Sequence, residues 1–494
     1  VDTLIIAATV GISLLLFAQS LSSLGFMLHI WENPRRMQTN QAPSPFLPPQ
    51  LSFSVLLPAR HEERVIYQTI ERVWKAHYPS TLLEIIVICH LDDAKTIAMA
   101  EQAIRDLHPG TDQIRVATFS QGPVNKPHGL NVGLRKATNQ VVAVFDAEDD
   151  IDPDIFNVIN TIILNEQVGI IQAGVQLMNF SDHWFSIHNC REYFFWFKSR
   201  LHFHARAGMI PLGGNTIFIH RTLLGHVGGR DEQCLTEDAD IGLRLSALGK
   251  AMRVIYDARH ATREETPATV ASFVRQRTRW QQGYLQVLKK GIWRKLPKLS
   301  QRVLALYTFS YPYIQAMLFF LWPFTLATLF SLKLPVAVTM LAFLPLYTFW
   351  LQFLTTVAGA FMFTREYKLK FHLWHLLMLI ITFIPFQMLL SMSAVRGLYR
   401  ELLKKNDWEK TFHAGAHREC VPVAKRKRCL CSSCSAFQLR PMVSTCSTFL
   451  TLRMMKEPIS HKRGRSFLRD GSPTIRTGTT IPLLAGSRLP SGQF

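Results

Sequence analysis

Asp146 and Glu148 stand two residues apart where the apolar run Val141–Phe145 ends. On a turn leaving a buried strand, both carboxylates can converge on one hard cation. Mg2+ or Mn2+ prefers such oxygen ligands and keeps its other positions for water and phosphate; bound there, it would offset charge on a departing diphosphate. A solvated acidic turn is the plainer reading, since Asp149, Asp150, Asp152 and Asp154 follow at once. Glu62 and the pair Asp92-Asp93 also lie beyond apolar runs, where they could accept hydrogen bonds from a nucleotide's base and ribose. As acids ahead of helices they equally suit the positive helix N-terminus. Lys126, with Asn131 beyond it, suits a phosphate and sugar contact, or an ordinary surface lysine. Asp238 opens a helical run, 238–248, with Thr236-Glu237 ahead of it. A carboxylate there can take the proton of an acceptor hydroxyl, or serve only as a first-turn acid. Gly213-Gly214-Asn215 allows close backbone approach, or a turn. Gln276, Arg279 and Trp280 share one helical face: a fork for diphosphate, a flat surface for a sugar ring and a neutral polar partner.

These residues need a scaffold that brings distant segments together. Phe53–Leu57, Glu84–Cys89, Ile114–Ala117, Val141–Phe145 and Gly169–Leu177 read as strands, alternating with helical stretches at 64–77, 94–107 and 129–136. That alternation predicts an α/β, mostly parallel, Rossmann-like sheet covered on both faces. Ligands of such sheets sit outside the C-terminal strand ends, and residues 58–63, 92–93 and 146–150 all fall at such ends. Residues 272–296 form an amphipathic pattern with Phe273, Trp280, Tyr284, Val287 and Ile292 at helical spacing, which predicts a helix in the headgroup layer.

Four stretches, 3–28, 303–332, 334–364 and 371–395, contain no Asp, Glu, Lys or Arg. Each exceeds the roughly 20 residues that span a bilayer core. The first is too long for a signal-peptide core and reads as an anchor. The organisation expected is an anchor at 1–30, a Pro-rich linker at 31–50, a catalytic domain at 51–270, an interface region at 271–298, membrane helices at 302–400, a short loop at 401–413 and a disordered basic tail at 414–494. The tail holds 14 Lys and Arg against 3 Asp and Glu, so it supplies much of the net charge of +20, and nucleic-acid binding need not be invoked. Arg35-Arg36 and Arg365, Lys368 and Lys370 mark cytoplasmic flanks, which puts the catalytic domain in the cytoplasm. The spans then conflict: three after that domain carry Lys404 and Lys405 outside, unless 371–395 re-enters at Pro385. Eight cysteines in so long a chain make no disulfide framework, and no properly spaced zinc set is present.

The order Pro58-Ala59-Arg60-His61-Glu62, Asp92-Asp93, Asp146-Ala147-Glu148, Thr236-Glu237-Asp238 and Gln276-x-x-Arg279-Trp280 resembles the membrane-integrated family 2 glycosyltransferases, of cellulose synthase and hyaluronan synthase type. The resemblance covers about residues 50–412. It implies a GT-A fold, a UDP-sugar donor, Mg2+ or Mn2+, and inversion at the anomeric carbon. It further implies that Glu62, Asp92, Asp93, Lys126 and Asp146 face the donor and that Asp146 and Glu148 hold the metal. Asp238 becomes the general base, and Gly214, Asn215, Glu237, Gln276, Arg279 and Trp280 meet acceptor and pyrophosphate. Trp408–His413 falls where the synthases carry a gating loop. Three positions depart from the family pattern: His61 replaces Asn, Glu148 replaces Asp, and Leu91-Asp92-Asp93-Ala94 replaces Asp-Asp-Gly-Ser. The expectation is a hexosyltransferase of the inner (plasma) membrane that elongates a polysaccharide, with its own export path or an accessory subunit. Single transfer to a membrane lipid, ceramide-like or polyprenyl phosphate, is the alternative. A catalytically inactive membrane scaffold is the rival of another class, and the presence of Asp146 and Asp238 speaks against it.

Overall fold

A computed structural model describes residues 2–331 and 336–407. Trp408–His413 and the tail 414–494 lie outside the described residues. In chain order the elements are α1 (Asp2–Leu28), α2 (Pro34–Thr39), β1 (Phe53–Ala59), α3 (Ile66–Trp74), β2 (Leu83–His90), α4 (Ala94–Leu107), β3 (Ile114–Phe119), α5 (Lys126–Lys136), β4 (Val141–Val144) and α6 (Ile155–Glu166). There follow β5 (Ile170–Ala173), β6 (Val175–Leu177), α7 (Ser186–Phe195), a π-helical turn (Trp196–Arg200), α8 (Leu201–Ala207), β7 (Ile217–His220), α9 (Arg221–His226) and α10 (Glu237–Ala247). The described residues continue with β8 (Met252–Ile255), β9 (Thr262–Glu264), α11 (Val270–Lys289), α12 (Leu299–Ser331), α13 (Val336–Glu366) and α14 (Leu373–Leu402).

β2 and β4 are near-continuous runs of β-branched and other apolar residues, buried almost throughout. Such runs suit strands covered on both faces. Seven strands form one sheet in the order β3-β2-β1-β4-β7-β5-β8, with β6 and β9 a separate pair. All neighbours in the large sheet are parallel except at β7, which runs antiparallel to β4 and β5. The stretch read as one strand over 169–177 is two, because β6 leaves the large sheet to pair with β9. The register sets Phe53 beside both Leu83 and Val141. β1, β2 and β4 therefore end at one edge, and the acidic turns after them open on the same side.

The apolar helices are long enough to cross a membrane: Ile6–Leu28, Leu299–Leu321, Val336–Glu366 and Leu373–Leu402. α14 differs from the other three. It is unbroken through Pro385. Near its N-terminal end His375 meets Ser181 of the α/β domain at 3.2 Å, at its centre Thr382 meets His188 at 2.8 Å, and Glu401 at its far end pairs with Lys289 of α11 at 2.7 Å. The opposite face carries Leu373, Leu377, Ile381, Ile384, Met388 and Met392, all exposed. α11 packs against α14 and α12, with Gln276, Thr278 and Gln282 buried.

Candidate active site

At the shared strand edge, the left-handed backbone of His61 (φ 54°) turns the chain out of β1. His, like Asn, tolerates that region better than most residues, which accounts for its standing where the family has Asn. Its N–H donates to Asp93 Oδ2 at 2.6 Å, and Asp93 also accepts from Thr96 N as the N-cap of α4. Asp92 is exposed and takes both guanidinium arms of Arg60 at 2.8 and 3.2 Å, with His90 Nδ1 at 2.5 Å. Arg60 first, then His90, hold its carboxyl well below the usual range. Asp93 is thus a cap, and Asp92 is bound up in a surface ion pair.

The turn after β4 is built by Asp149, which is fully buried. Its Oδ2 accepts the Asp146 N–H at 2.8 Å, and both its oxygens accept from Asn215 Nδ2 at 2.9 and 3.1 Å. Asn215 also donates to Glu264. The next residue, Thr216, holds φ 51°, a costly conformation for a β-branched side chain. That strain sits beside the acidic turn. Burial raises Asp149, and Glu264 and Asp146 push it further.

Lys126 at the start of α5 bridges the centre. Its Nζ is 2.5 Å from Asp146 Oδ1 and 2.8 Å from Gly214 O. Burial alone would lower this lysine, but Asp146, Asp238 and Glu237 outweigh it and hold it above its ordinary value. Asp146 is itself raised, first by burial and then by Glu148 and Asp238, with Lys126 opposing. Gly214 keeps this corner open: a Cβ there would stand 3.3 Å from Asp238 Oδ2 and 3.6 Å from Lys126 Nζ.

Asp238 lies in the first turn of α10 with Arg230 Nη1 3.1 Å from its Oδ1. Its neighbour Glu237 is buried and pushed up to about 8, chiefly by burial and then by the charge of Asp238, with Lys126 and Arg230 opposing. A hydrogen bond shared with Asp238 favours the protonated form of Glu237, while its Oε1 makes no hydrogen bond. α11 presses on this turn through Gly283, where a Cβ would come within 2.5 Å of Thr236. The same helix carries Gln276, Arg279 and Trp280. Burial lowers Arg279, while Glu237, Asp238 and Asp146 draw it back up.

These parts face a single cavity of about 1130 Å3. Glu62, Lys126, Asp146, Glu148, Gly214, Asn215, Glu237, Asp238, Gln276, Arg279 and Trp280 all line it; Asp92 and Asp93 do not. The cavity continues between the apolar helices to Gln19, Gln315, Phe349 and Phe383. Asp149, Arg230 and Glu264 were missed from sequence. Asp149 looked like one more solvated acid, and only its contact with Asn215, 66 residues away, sets it apart.

The surroundings of Asp146 and Glu148 suit a divalent cation. Asp146, Glu148, Asp149, Glu237, Asp238 and Glu264 crowd one region, and the carboxyls of Asp146 and Asp149 are raised by their acidic neighbours. Lys126, Arg230 and Arg279 leave that group short of positive charge. A second cluster, Asp152, Asp154 and His260, has its possible ligand atoms within 4.8 Å of one another, outside the cavity.

Residues 48–283 match the family described as glycosyltransferase like family 2. Over 261 residues the chain is 26% identical to a β-monoglucosyldiacylglycerol synthase from Nostoc sp., covering 52% of this chain and 53% of that protein. Over 265 residues it is 27% identical to a poly-β-1,6-N-acetyl-D-glucosamine synthase from Staphylococcus epidermidis, covering 53% of this chain and 60% of that protein. The chain spans about half the length of the curated relatives it matches. Among solved structures it is similar to a mannosyltransferase from Pyrobaculum calidifontis in complex with GDP-Man and Mn2+, at a TM-score of 0.49 and 15% identity, covering 80% of this chain and 99% of that one. Over residues 48–283 the chain thus resembles the family 2 glycosyltransferases, and its mixed, mostly parallel sheet is that of a GT-A glycosyltransferase fold.

Proposed function

We propose that this protein transfers a sugar, with inversion, from a UDP-sugar to a hydroxyl on an acceptor that arrives from the membrane. One observation carries the reading: the cavity that holds Asp146, Glu148 and Asp238 continues between the apolar helices. Asp146 and Glu148 would hold Mg2+ or Mn2+, which supplies positive charge to the donor's diphosphate. Lys126 and Arg279 add fixed positive charge beside them, and Glu62 lies at the end of the cavity proposed for the nucleotide. Asp238 takes the acceptor's proton as its oxygen bonds to the anomeric carbon from the face opposite the diphosphate, which leaves. Arg230 and protonated Glu237 orient Asp238, each through its own hydrogen bond. Trp280, beside Tyr193 at 6.3 Å and under Arg277 at 4.7 Å, offers its ring to the acceptor.

The walls beyond Trp280 favour a lipid acceptor over a growing polysaccharide, because aromatic and aliphatic side chains outnumber polar ones. This reverses the order of preference drawn from the residues alone. The protein belongs, on this reading, in the inner (plasma) membrane with the α/β domain in the cytoplasm. α1, α12 and α13 cross, while α14 lies against the domain with its apolar stripe toward lipid. Two crossings after the domain, α12 and α13, return Lys404 and Lys405 to the domain's side and remove the topological conflict.

The test is radiolabel transfer from a panel of UDP-sugars in purified membranes, with Mg2+, Mn2+ or chelator, and products sorted by size. A labelled lipid lost in Asp238→Asn is expected. High-molecular-weight product would restore the polysaccharide reading. Absence of Asp238-dependent transfer from every donor would overturn both.

A further inference from the structure

Two arginines in the cavity wall have no role in the chemistry above. Arg191 of α7 is 6% exposed; its Nη1 donates to Thr356 Oγ1 at 3.0 Å and its Nε has no partner. The carboxylate beside it, Glu192, is already engaged by Arg277 at 2.7 Å. Burial lowers Arg191 to about 10, with Glu192 opposing and Arg277 adding to the fall. Arg200, at the end of the π-helical turn, is set among Phe26, Trp196 and Tyr311, with its guanidinium carbon 5.0, 5.2 and 5.7 Å from their centroids. Its Nε also has no partner. Among the described residues, neither guanidinium forms an ion pair with a carboxylate.

A buried cation without a counter-ion is costly. Aromatic faces offset part of that cost for Arg200, but they leave its planar fork of donors unspent, and that fork matches phosphate. Both arginines lie on one helical run whose single π turn is of the kind that marks functional sites. Beyond them the cavity is walled by Leu318, Phe319, Leu346, Phe349 and Phe383. Two cations without a carboxylate partner in the wall, and apolar side chains in the same cavity, describe the complement of an anionic amphiphile.

We propose that Arg191 and Arg200 form an anion seat for the phosphate of a hydroxyl-bearing phospholipid, and that this lipid is the acceptor. The inference rests on the transferase reading and narrows its acceptor class. The phosphodiester stays intact at the arginines with its tail in the apolar slot. The headgroup hydroxyl reaches Asp238, loses its proton there, and its oxygen bonds to the anomeric carbon as the nucleoside diphosphate departs.

Binding to the full chain, in a non-ionic detergent without a sugar headgroup, tests this. Tryptophan fluorescence would be titrated with dioctanoyl phosphatidylglycerol, dioctanoylglycerol and glycerol phosphate. The phospholipid should bind at least tenfold tighter than either of the others, Arg191→Gln and Arg200→Gln should each erase most of that preference, and Arg200→Lys should keep part of it. UDP affinity in the presence of Mg2+, measured in the same preparations, should stay within about twofold. Equal binding of the two lipids by the unaltered chain would overturn the seat whatever the variants do. Glycerol phosphate binding as tightly as the phospholipid would assign it to a free phosphate ester instead. A large loss of UDP affinity in the glutamine variants would hand the arginines to the donor. Intact metal-dependent UDP binding alongside a failed lipid preference would sink only this inference, whereas loss of both would sink the transferase reading.

Discussion

The two ends of the cavity are built by different means. At the donor end, Asp146, Glu148, Lys126 and Asp238 stand at a strand end and in first helical turns, close enough to shift one another's titration, and the acids outnumber the cations. At the membrane end, Arg191 and Arg200 project from a helical run into the cavity wall without an ion pair to a carboxylate, since the neighbouring Glu192 is taken by Arg277. One end is dense in mutual charge and the other is short of it. On the proposed reading, the first is prepared for reaction whatever the acceptor, while the second selects what may react.

Substitutions at the donor end should therefore strike rate, and those near the membrane end should strike choice of acceptor. The largest effect is expected from Asp238→Asn, which should lower initial transfer rates by about 10^2- to 10^4-fold while UDP titrations change little. Chelation of divalent ions should weaken UDP binding itself, and calorimetric titration with and without Mg2+ checks it. Next comes Asp149→Asn. Asp149 touches no substrate in this scheme but holds the Asp146 N–H and Asn215, and loss of such an outer partner costs about 10- to 100-fold in metal affinity or activity. A Mn2+ titration of activity separates the two. Gly283→Ala forces α11 away from Thr236; overpacking of this kind costs about 1–3 kcal/mol, read as a lower kcat with unchanged UDP affinity and a depressed Tm.

The smallest effect concerns pH. Burial and then the charge of Asp238 push Glu237 up to about 8 from its ordinary 4.5. Between those values the native state keeps a proton that the unfolded state has lost, so stability falls as pH rises through that window. Tm measured from pH 5 to 8 should decline, and Glu237→Gln should flatten the slope.

The donor end was largely legible in the sequence, because carboxylates following apolar runs mark strand ends and parallel strands end together. Asp92 and Asp93 show the limit. They occupy a strand end, but local partners, Arg60 and His90 for one and the α4 N-terminus for the other, hold them away from the cavity. Asp149 shows the converse: a second carboxylate in an acidic run gives no sign that Asn215 will meet it. The path of α14 was not legible either. Its apolar run has the length and hydropathy of a crossing helix, and only the contacts of His375, Thr382 and Glu401 reveal that both ends rest on the same domain.

Close contact at two glycines links that helix to the catalytic turn. Gly397 of α14 lies against α11, where a Cβ would stand 3.2 Å from Gln282 N, and one residue on, Gly283 lies against Thr236. Neither contact leaves slack for a side chain to take up displacement. On the proposed reading, the general base is therefore seated, through two close contacts, on the helix whose outer stripe faces acyl chains. Bilayer thickness becomes a variable of the reaction: turnover in vesicles of graded chain length should pass through an optimum set by the depth at which α14 rides.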